Sequence, residues 1–358
     1  MPTSQTNVRT ALIGYGLAGS VFHAPLIHYT AGMQLAAVVT GNPERQQAAR
    51  QAYPQAKILA DAAQIWQDPA DFDLVVVATP NDTHAPLAKL AMQRGIAVVV
   101  DKPFAISSAQ AEELLDVQNK TGALLSVFQN RRWDCDFLTI KELIETDRVG
   151  PVTRIESRFE RYRPHPKPGG WRETTEASAG GGLLFDLGSH LIDQVISLFG
   201  DPCSVYAEVK ARRAGVRSDD DTFVALQFPN GVCAHLWVSM LSKVPGPRFR
   251  LLGTRGIYEK FGLDPQEEAL KNGLRPGHQM WGTEKEQHSG NLTTTIGDLE
   301  FSGTITSKKG CYEKFYEGMR DAITSGAEVP VRPSDAAKAL RVIEAARQSS
   351  LAQSAVAV

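Results

Sequence analysis

Between Val8 and about Phe128 the apolar positions gather into short runs, VRTALIG, LAAVVT, DLVVVAT, IAVVVD and LLSVF, separated by helix-like segments such as PERQQAARQAY and SSAQAEELLDVQNKTG. Buried strands alternating with helices predict a parallel sheet covered on both faces. A helix is expected from about Asp134 to Arg148, and after GPV the pattern changes to long alternating runs, VTRIESRFERYR, SVYAEVKARR, TFVALQF and GVCAHLWV. In the second of these, Val205, Val209 and Ala211 share one face, and Tyr206, Glu208, Lys210 and Arg212 the other. Such alternation predicts a large, mostly antiparallel open sheet with one face covered. The free face is either solvated or an interface between copies of the chain. Between Leu263 and Gly303 no periodicity stands out and loops are expected; helices near Tyr312–Ser325 and Ser334–Ser350 close the chain.

The predicted class is therefore α/β, with a Rossmann dinucleotide-binding domain over residues 1–130 and a second α/β domain over 131–358 for substrate binding and oligomerisation. A length of 358 residues suits two cores. A net charge of −2 with 22% charged residues gives no reason to expect nucleic acid as a partner. No run of about 18 apolar residues occurs, so no membrane span is expected. The N-terminal MPTSQTNVRT has no apolar core, and Cys135, Cys203, Cys233 and Cys311 lack metal-ligand or disulfide spacing. Together these suggest reduced thiols, a cytoplasmic protein and no metal.

The first predicted strand runs into GYGLAG, where Gly14, Gly16 and Gly19 have the G-x-G-x-x-G spacing and Leu17 lies between them, and a helix-like segment follows. In that context the glycines allow a tight turn, close approach to a pyrophosphate, and packing of helix on strand. About 20 residues on, where an acid would bond the adenosine ribose, the chain reads VVTGNPER with no carboxylate at Thr40, Gly41 or Asn42. Thr40, Asn42 and Arg45 instead suit a 2′-phosphate, with Asn42 capping a helix that starts at Pro43. NADP is expected ahead of NAD.

The reacting end belongs beyond the carboxyl ends of the later strands, which lead into TPNDTH, DKP and QNRRW. Thr79, Pro80, Asn81, His84, Lys102 and Asn130 are thereby candidates for the cofactor side. In GGGLLFDLGSHLIDQ, Asp186, His190, Asp193 and Ser197 form one stripe of a helix starting near Gly182, opposite Leu184, Leu187, Leu191, Val195 and Leu198. By spacing alone that polar stripe reads as a solvated face. The three glycines in front of it, and two titratable groups in its first turns, favour a site. A histidine near neutrality suits a general base.

The motifs GYGLAGSVFHAPL, TPNDTH, GIAVVVDKP, QNRRWDCDF and GGGLLFDLGSHLIDQ resemble those of the glucose–fructose oxidoreductase/inositol dehydrogenase family (Gfo/Idh/MocA) along nearly the whole chain. GYGLAGSVFHAP, NRRWDxDFLTIK and RYRP…WRE are most similar to its branch of NADP-dependent scyllo-inositol dehydrogenases. The resemblance implies that Lys102 is the active-site lysine of an E-K-P motif, here with Asp101 in place of glutamate. It also implies that Asp186 and His190 are the D-x-x-x-H pair, and that the second domain's sheet forms dimers or tetramers. The implied reaction is hydride transfer from a secondary alcohol of a polyol or sugar to the nicotinamide. His190 takes the hydroxyl proton, Lys102 stabilises the developing oxyanion, and Asp186 orients the substrate. The RYRPHPKPGGWRE stretch adds Tyr162 as a substrate contact and Trp171 and Arg172 on the cofactor side. Two other readings stay open: an NAD(P)-dependent aldose or other polyol dehydrogenase, and a non-catalytic NADP-binding regulator of the kind some family members are.

Overall fold

In the computed structural model, which describes residues 7–167 and 175–358, the apolar runs become six parallel strands. They are β1 (Val8–Ile13), β2 (Met33–Val39), β3 (Lys57–Leu59), β4 (Leu74–Val77), β5 (Ala97–Asp101) and β6 (Leu125–Phe128), in the order β3-β2-β1-β4-β5-β6. Every residue of β4 is buried, as expected for a strand covered on both faces. The covering helices are α1 (Ala24–Tyr29), α2 (Pro43–Ala52), α3 (His84–Gln93) and α4 (Ser108–Thr121). Local chemistry sets their ends. Asn42 accepts from the Arg45 amide to cap α2, with Pro43 at its first turn, and Ser107 caps α4, which stops at the left-handed Gly122. The strand order reverses between β1 and β4, so a crevice opens beyond their carboxyl ends.

Helix α5 (Cys135–Glu145) leads out of this layer into β7 (Val152–Glu160), followed by helix α6 (Ser189–Phe199). Next come β8 (Ser204–Lys210), β9 (Asp221–Gln227), β10 (Cys233–Ser239), β11 (Phe249–Gly253) and β12 (Gly256–Lys260). A short helix α7 (Gln266–Lys271) precedes the hairpin of β13 (Gly290–Ile296) and β14 (Leu299–Ile305). Helices α8 (Glu313–Ser325) and α9 (Pro333–Ala352) and the short β15 (Val356–Ala357) complete the chain. The second sheet has nine strands, β14-β13-β12-β11-β7-β10-β9-β8-β15, antiparallel except for β7 beside β10. The expected loop region 263–303 is thus corrected: it holds α7, β13 and the start of β14. Its hairpin lies at the sheet margin with much of β14 exposed, so no apolar alternation marks it. On the free face of the central strands Phe223, His235 and Trp237 touch one another, and the Arg158 guanidinium lies 3.8 Å above the Trp237 ring.

The last two helices return to the first layer. Helix α8 packs on α1 and β1, and α9 on α4, β6, α6 and β8. Ser126 on β6 donates to the Val331 carbonyl at 2.8 Å, and Glu344 on α9 accepts from the backbone and hydroxyl of Ser108 at 2.7 and 2.6 Å.

Candidate active site

Gly14, just past β1, has φ +102°, and a Cβ there would lie 2.3 Å from the Ala78 carbonyl oxygen. A Cβ at Gly19 would lie 2.1 Å from the Gly14 oxygen. These two glycines let backbones touch. Among the described residues, the one atom within 4 Å of a Cβ at Gly16, chain neighbours aside, is Nη1 of Arg45, at 3.8 Å. That open patch, with the exposed Leu17 beside it and a wide helical turn (Ala18–His23) beyond, is a cradle a diphosphate fits. Asn42 is committed to its cap, and Thr40 accepts weakly from the Asn42 amide at 3.4 Å. The Arg45 guanidinium makes no ion pair among the described residues and stays available to an anion.

At the end of β4, Thr83 donates to the Thr79 hydroxyl at 2.6 Å. His84, expected on the cofactor side, is 1% exposed. Its ring nitrogens face the carbonyls of Pro103 and Thr79 at 2.8 and 2.9 Å, so it ties the TPN turn to the Lys102 loop instead of meeting a ligand. The side-chain amide of Asn81 lies close to Gly180 of the second domain. Asn130 is buried in the turn after β6.

Lys102 follows β5 directly and reaches the second domain. Its Nζ donates to Oδ1 of Asp186 at 2.8 Å and to the Asp186 carbonyl at 2.7 Å. Asp101, which stands where the E-K-P motif has glutamate, accepts from the Lys102 amide at 2.8 Å and lies 3.6 Å from Nε2 of the fully buried His23. Burial works upward on its carboxyl, but hydrogen bonding and charge from His23, with His84 and Lys102, outweigh burial and hold it below the usual range. The shorter carboxylate is thus anchored, and it keeps the lysine's backbone in place.

The glycines before α6 serve the protein itself. A Cβ at Gly182, φ +97°, would overlap Oδ1 of Asp219, whose Oδ2 accepts from the Leu184 amide at 2.6 Å. The helix opens with a wide turn, Leu184–Gly188, that carries Asp186. Three members of its polar stripe are not solvated, Asp186, His190 and Asp193 being 9%, 3% and 1% exposed, while Ser197 at the far end is exposed. The reason is tertiary, because Arg132 from the turn after β6 forks onto Asp193 at 2.8 and 2.7 Å, closing that face against the first domain. His190 is 3.1 Å from Oε1 of Gln129 through Nδ1. Burial pushes its pKa well below the ordinary imidazole range, and the cations of Lys102, Arg131 and Arg248 push the same way. Arg131 and Arg248 both stack on Phe159, and Arg248 pairs with the fully buried Asp136 at 3.2 Å. Lys102 and Asp186 thus form a mostly buried ion pair between the two layers, and the charge of Lys102 is felt by the buried His190 ring.

Tyr162 is not drawn into this group: it is 50% exposed, with the Lys243 ammonium 5.7 Å above its ring. Trp171 and Arg172 lie outside the described residues. Gln129, Arg131 and Arg132 were visible only as polar letters in QNRRW, and Arg248, 49 residues beyond the end of α6, carried no local signal.

A family model for an oxidoreductase NAD-binding Rossmann fold matches residues 8–129, and one for the same family's C-terminal alpha/beta domain matches 141–358. The chain belongs to the Gfo/Idh/MocA oxidoreductases. Among relatives, the Escherichia coli oxidoreductase YdgJ is 40% identical over 96% of both chains. The Bacillus subtilis enzyme IolW, an NADP-dependent scyllo-inositol 2-dehydrogenase, is 35% identical over 96% of this chain and 94% of its own. Of solved structures, the Bacillus subtilis oxidoreductase yvaA superposes with a TM-score of 0.93 at 34% identity, covering 99% of each chain. An oxidoreductase from Yersinia pestis gives 0.91 at 37% identity, again over 99% of each. Among the described residues no helix is long and apolar enough to cross a membrane, and no cluster of three or more metal-ligating side chains occurs.

Proposed function

We propose that this oxidoreductase is an NADP(H)-dependent dehydrogenase of a cyclitol secondary alcohol, with scyllo-inositol and its keto form as the substrate pair. The carrying observation is the Lys102–Asp186 ion pair, whose cation acts on the buried His190 ring, beside the strand ends that also form the glycine cradle. The bound dinucleotide supplies the hydride acceptor at its nicotinamide. Around it, His190 takes the hydroxyl proton as the carbinol hydrogen leaves, Lys102 stabilises charge gathering on that oxygen, and Asp186 holds the lysine while presenting an acceptor to a substrate hydroxyl. In reduction the same groups work in reverse. Asp186, buried and bonded to Lys102 through both its side chain and its carbonyl, is well placed for this double duty.

Preference for NADP rests on Arg45 over Gly16 and on the absence of a carboxylate at the end of β2, and IolW, named as NADP-dependent, is a relative over most of the chain. The test is nicotinamide absorbance with NADP or NAD and a panel of inositols and aldoses, on the native chain and on Arg45→Ala. Turnover of scyllo-inositol with NADP, and a loss in Arg45→Ala confined to NADP and on the order of tenfold to hundredfold, supports the reading. Turnover of aldoses alone moves the substrate to that class. Tight NADPH binding with no turnover on any polyol favours a regulator.

The free sheet face bearing Phe223, His235 and Trp237 is proposed as the contact between copies of the chain in a dimer or tetramer. Light scattering on Trp237→Glu tests it: an unchanged oligomer removes this face from the interface.

A further inference from the structure

We propose that Gln129 is the positioning residue of His190: its side-chain carbonyl accepts from Nδ1–H, which leaves the Nε2 lone pair as the atom that takes the substrate proton. The proposal rests on the dehydrogenase reading and adds to it the choice of nitrogen.

A neutral imidazole carries one N–H, and the partner of one nitrogen decides the state of the other. Oε1 of Gln129 lies 3.1 Å from Nδ1, with both residues 3% exposed. No other hydrogen bond to either ring nitrogen of His190 occurs among the described residues. The backbone of Gln129 is held from two sides, its amide donating to Val127 at 2.8 Å and its carbonyl accepting from Arg132 at 3.1 Å. It directly follows β6, so the strand aims it.

The amide orientation has a physical reason. Were the glutamine turned about, its NH2 would donate to Nδ1, and the ring proton would move to Nε2, converting the base into a donor. Lys102, Arg131 and Arg248 act on this ring as positive charges. Their field favours the negative, carbonyl end of the amide dipole next to the imidazole. A carboxylate in the same place would also select Nδ1–H, but it would raise the ring's proton affinity. Glutamine orients the ring without that charge, so His190 remains an unprotonated base at neutral pH.

Two measurements test the idea. In protein carrying 15N-histidine, long-range proton–nitrogen couplings distinguish the tautomers, and His190 is assigned among the eight histidines by difference from His190→Asn. The expected state is protonated Nδ1 and bare Nε2; a protonated Nε2 in the native chain overturns the proposal. Kinetically, Gln129→Leu is expected to lower kcat on the order of tenfold to hundredfold with KM and NADPH affinity within threefold. Gln129→Glu keeps an acceptor at Nδ1. It should retain most of kcat at alkaline pH while the acidic limb of its pH profile moves up by about one unit. Equal losses in the two variants at every pH would assign Gln129 a packing role and refute the proposal. The NMR measurement needs no substrate, so the tautomer is decided even if no polyol is turned over and the dehydrogenase reading fails.

Discussion

Lys102→Met keeps the length of the lysine stem and removes its charge, and the structure gives three separate effects to expect. The first is on chemistry: a preorganised donor for a developing oxyanion contributes about 3–4 kcal/mol, so kcat should fall by about a hundredfold to a thousandfold. The second is on stability. Lys102 and Asp186 side chains are 18% and 11% exposed, and the variant removes the ammonium that donates to a mostly buried carboxylate at 2.8 Å. A loss of about 2–3 kcal/mol is expected, below the penalty of a fully buried pair because water reaches both groups. The third is on pH. Burial, Lys102, Arg131 and Arg248 all lower the His190 pKa. Deleting one cation raises it, so the acidic limb of activity shifts to higher pH. Stopped-flow absorbance, urea unfolding and a pH profile separate the three, while NADPH fluorescence should show affinity nearly unchanged. In Lys102→Met/Asp186→Asn the stability should recover while turnover does not. Turnover within threefold of the native chain in Lys102→Met would refute the role given to the lysine.

The glycine cradle makes a paired prediction: Gly14→Ala, with a positive φ and a 2.3 Å clash with backbone, should unfold several degrees lower. Gly16→Ala should melt like the native chain yet bind NADPH at least tenfold more weakly in a fluorescence titration, because its methyl enters the open cradle. Glu267 predicts an acid-limb effect. Burial works upward on this carboxyl, but Arg131 first, then Lys271 and Arg161, pull it down to about 2 from 4.5. A lowered carboxyl contributes stability that is complete above its unfolded pKa and lost as pH falls through the folded value. Glu267→Gln should therefore cost about 2 kcal/mol at pH 7 and flatten urea stability between about pH 4.5 and 2; an unchanged acid limb would show that Arg131 does not hold the carboxylate.

What the sequence made legible was local. The parallel strands, the glycine turn, the Asn42–Pro43 helix start and the ends of α5, α8 and α9 all follow from period, caps and turn residues within a dozen positions. Lys102 was legible because a cation straight after a buried strand is out of place unless it faces a crevice. The buried stripe of α6 was not. Asp193 is polar by type, and only Arg132, 61 residues earlier in the chain, makes it an interior residue. His84 misled for the converse reason: its motif sits at the right strand end, yet Pro103, 19 residues on, captures one ring nitrogen. The β13–β14 hairpin did leave a signal. Ile296 pairs with Leu299 across Gly297 and Asp298, a two-residue turn between two threonine-bearing alternating runs. Its exposed faces hid it from a search for apolar alternation.

The return of α8 and α9 to the first layer has a consequence for how the chain is made. Until residues near Val331 and Glu344 have left the ribosome, Ser126 on β6 and the start of α4 lack their partners, and a flank of the dinucleotide layer stays uncovered. The segment that appears first in synthesis is therefore finished last, by contacts spanning more than two hundred residues. Domain-by-domain maturation during translation is unavailable to it. Cutting the chain after β6 to obtain a small stand-alone cofactor binder should give an aggregating fragment, whereas supplying α8 and α9 on a separate peptide would offer that layer its missing side.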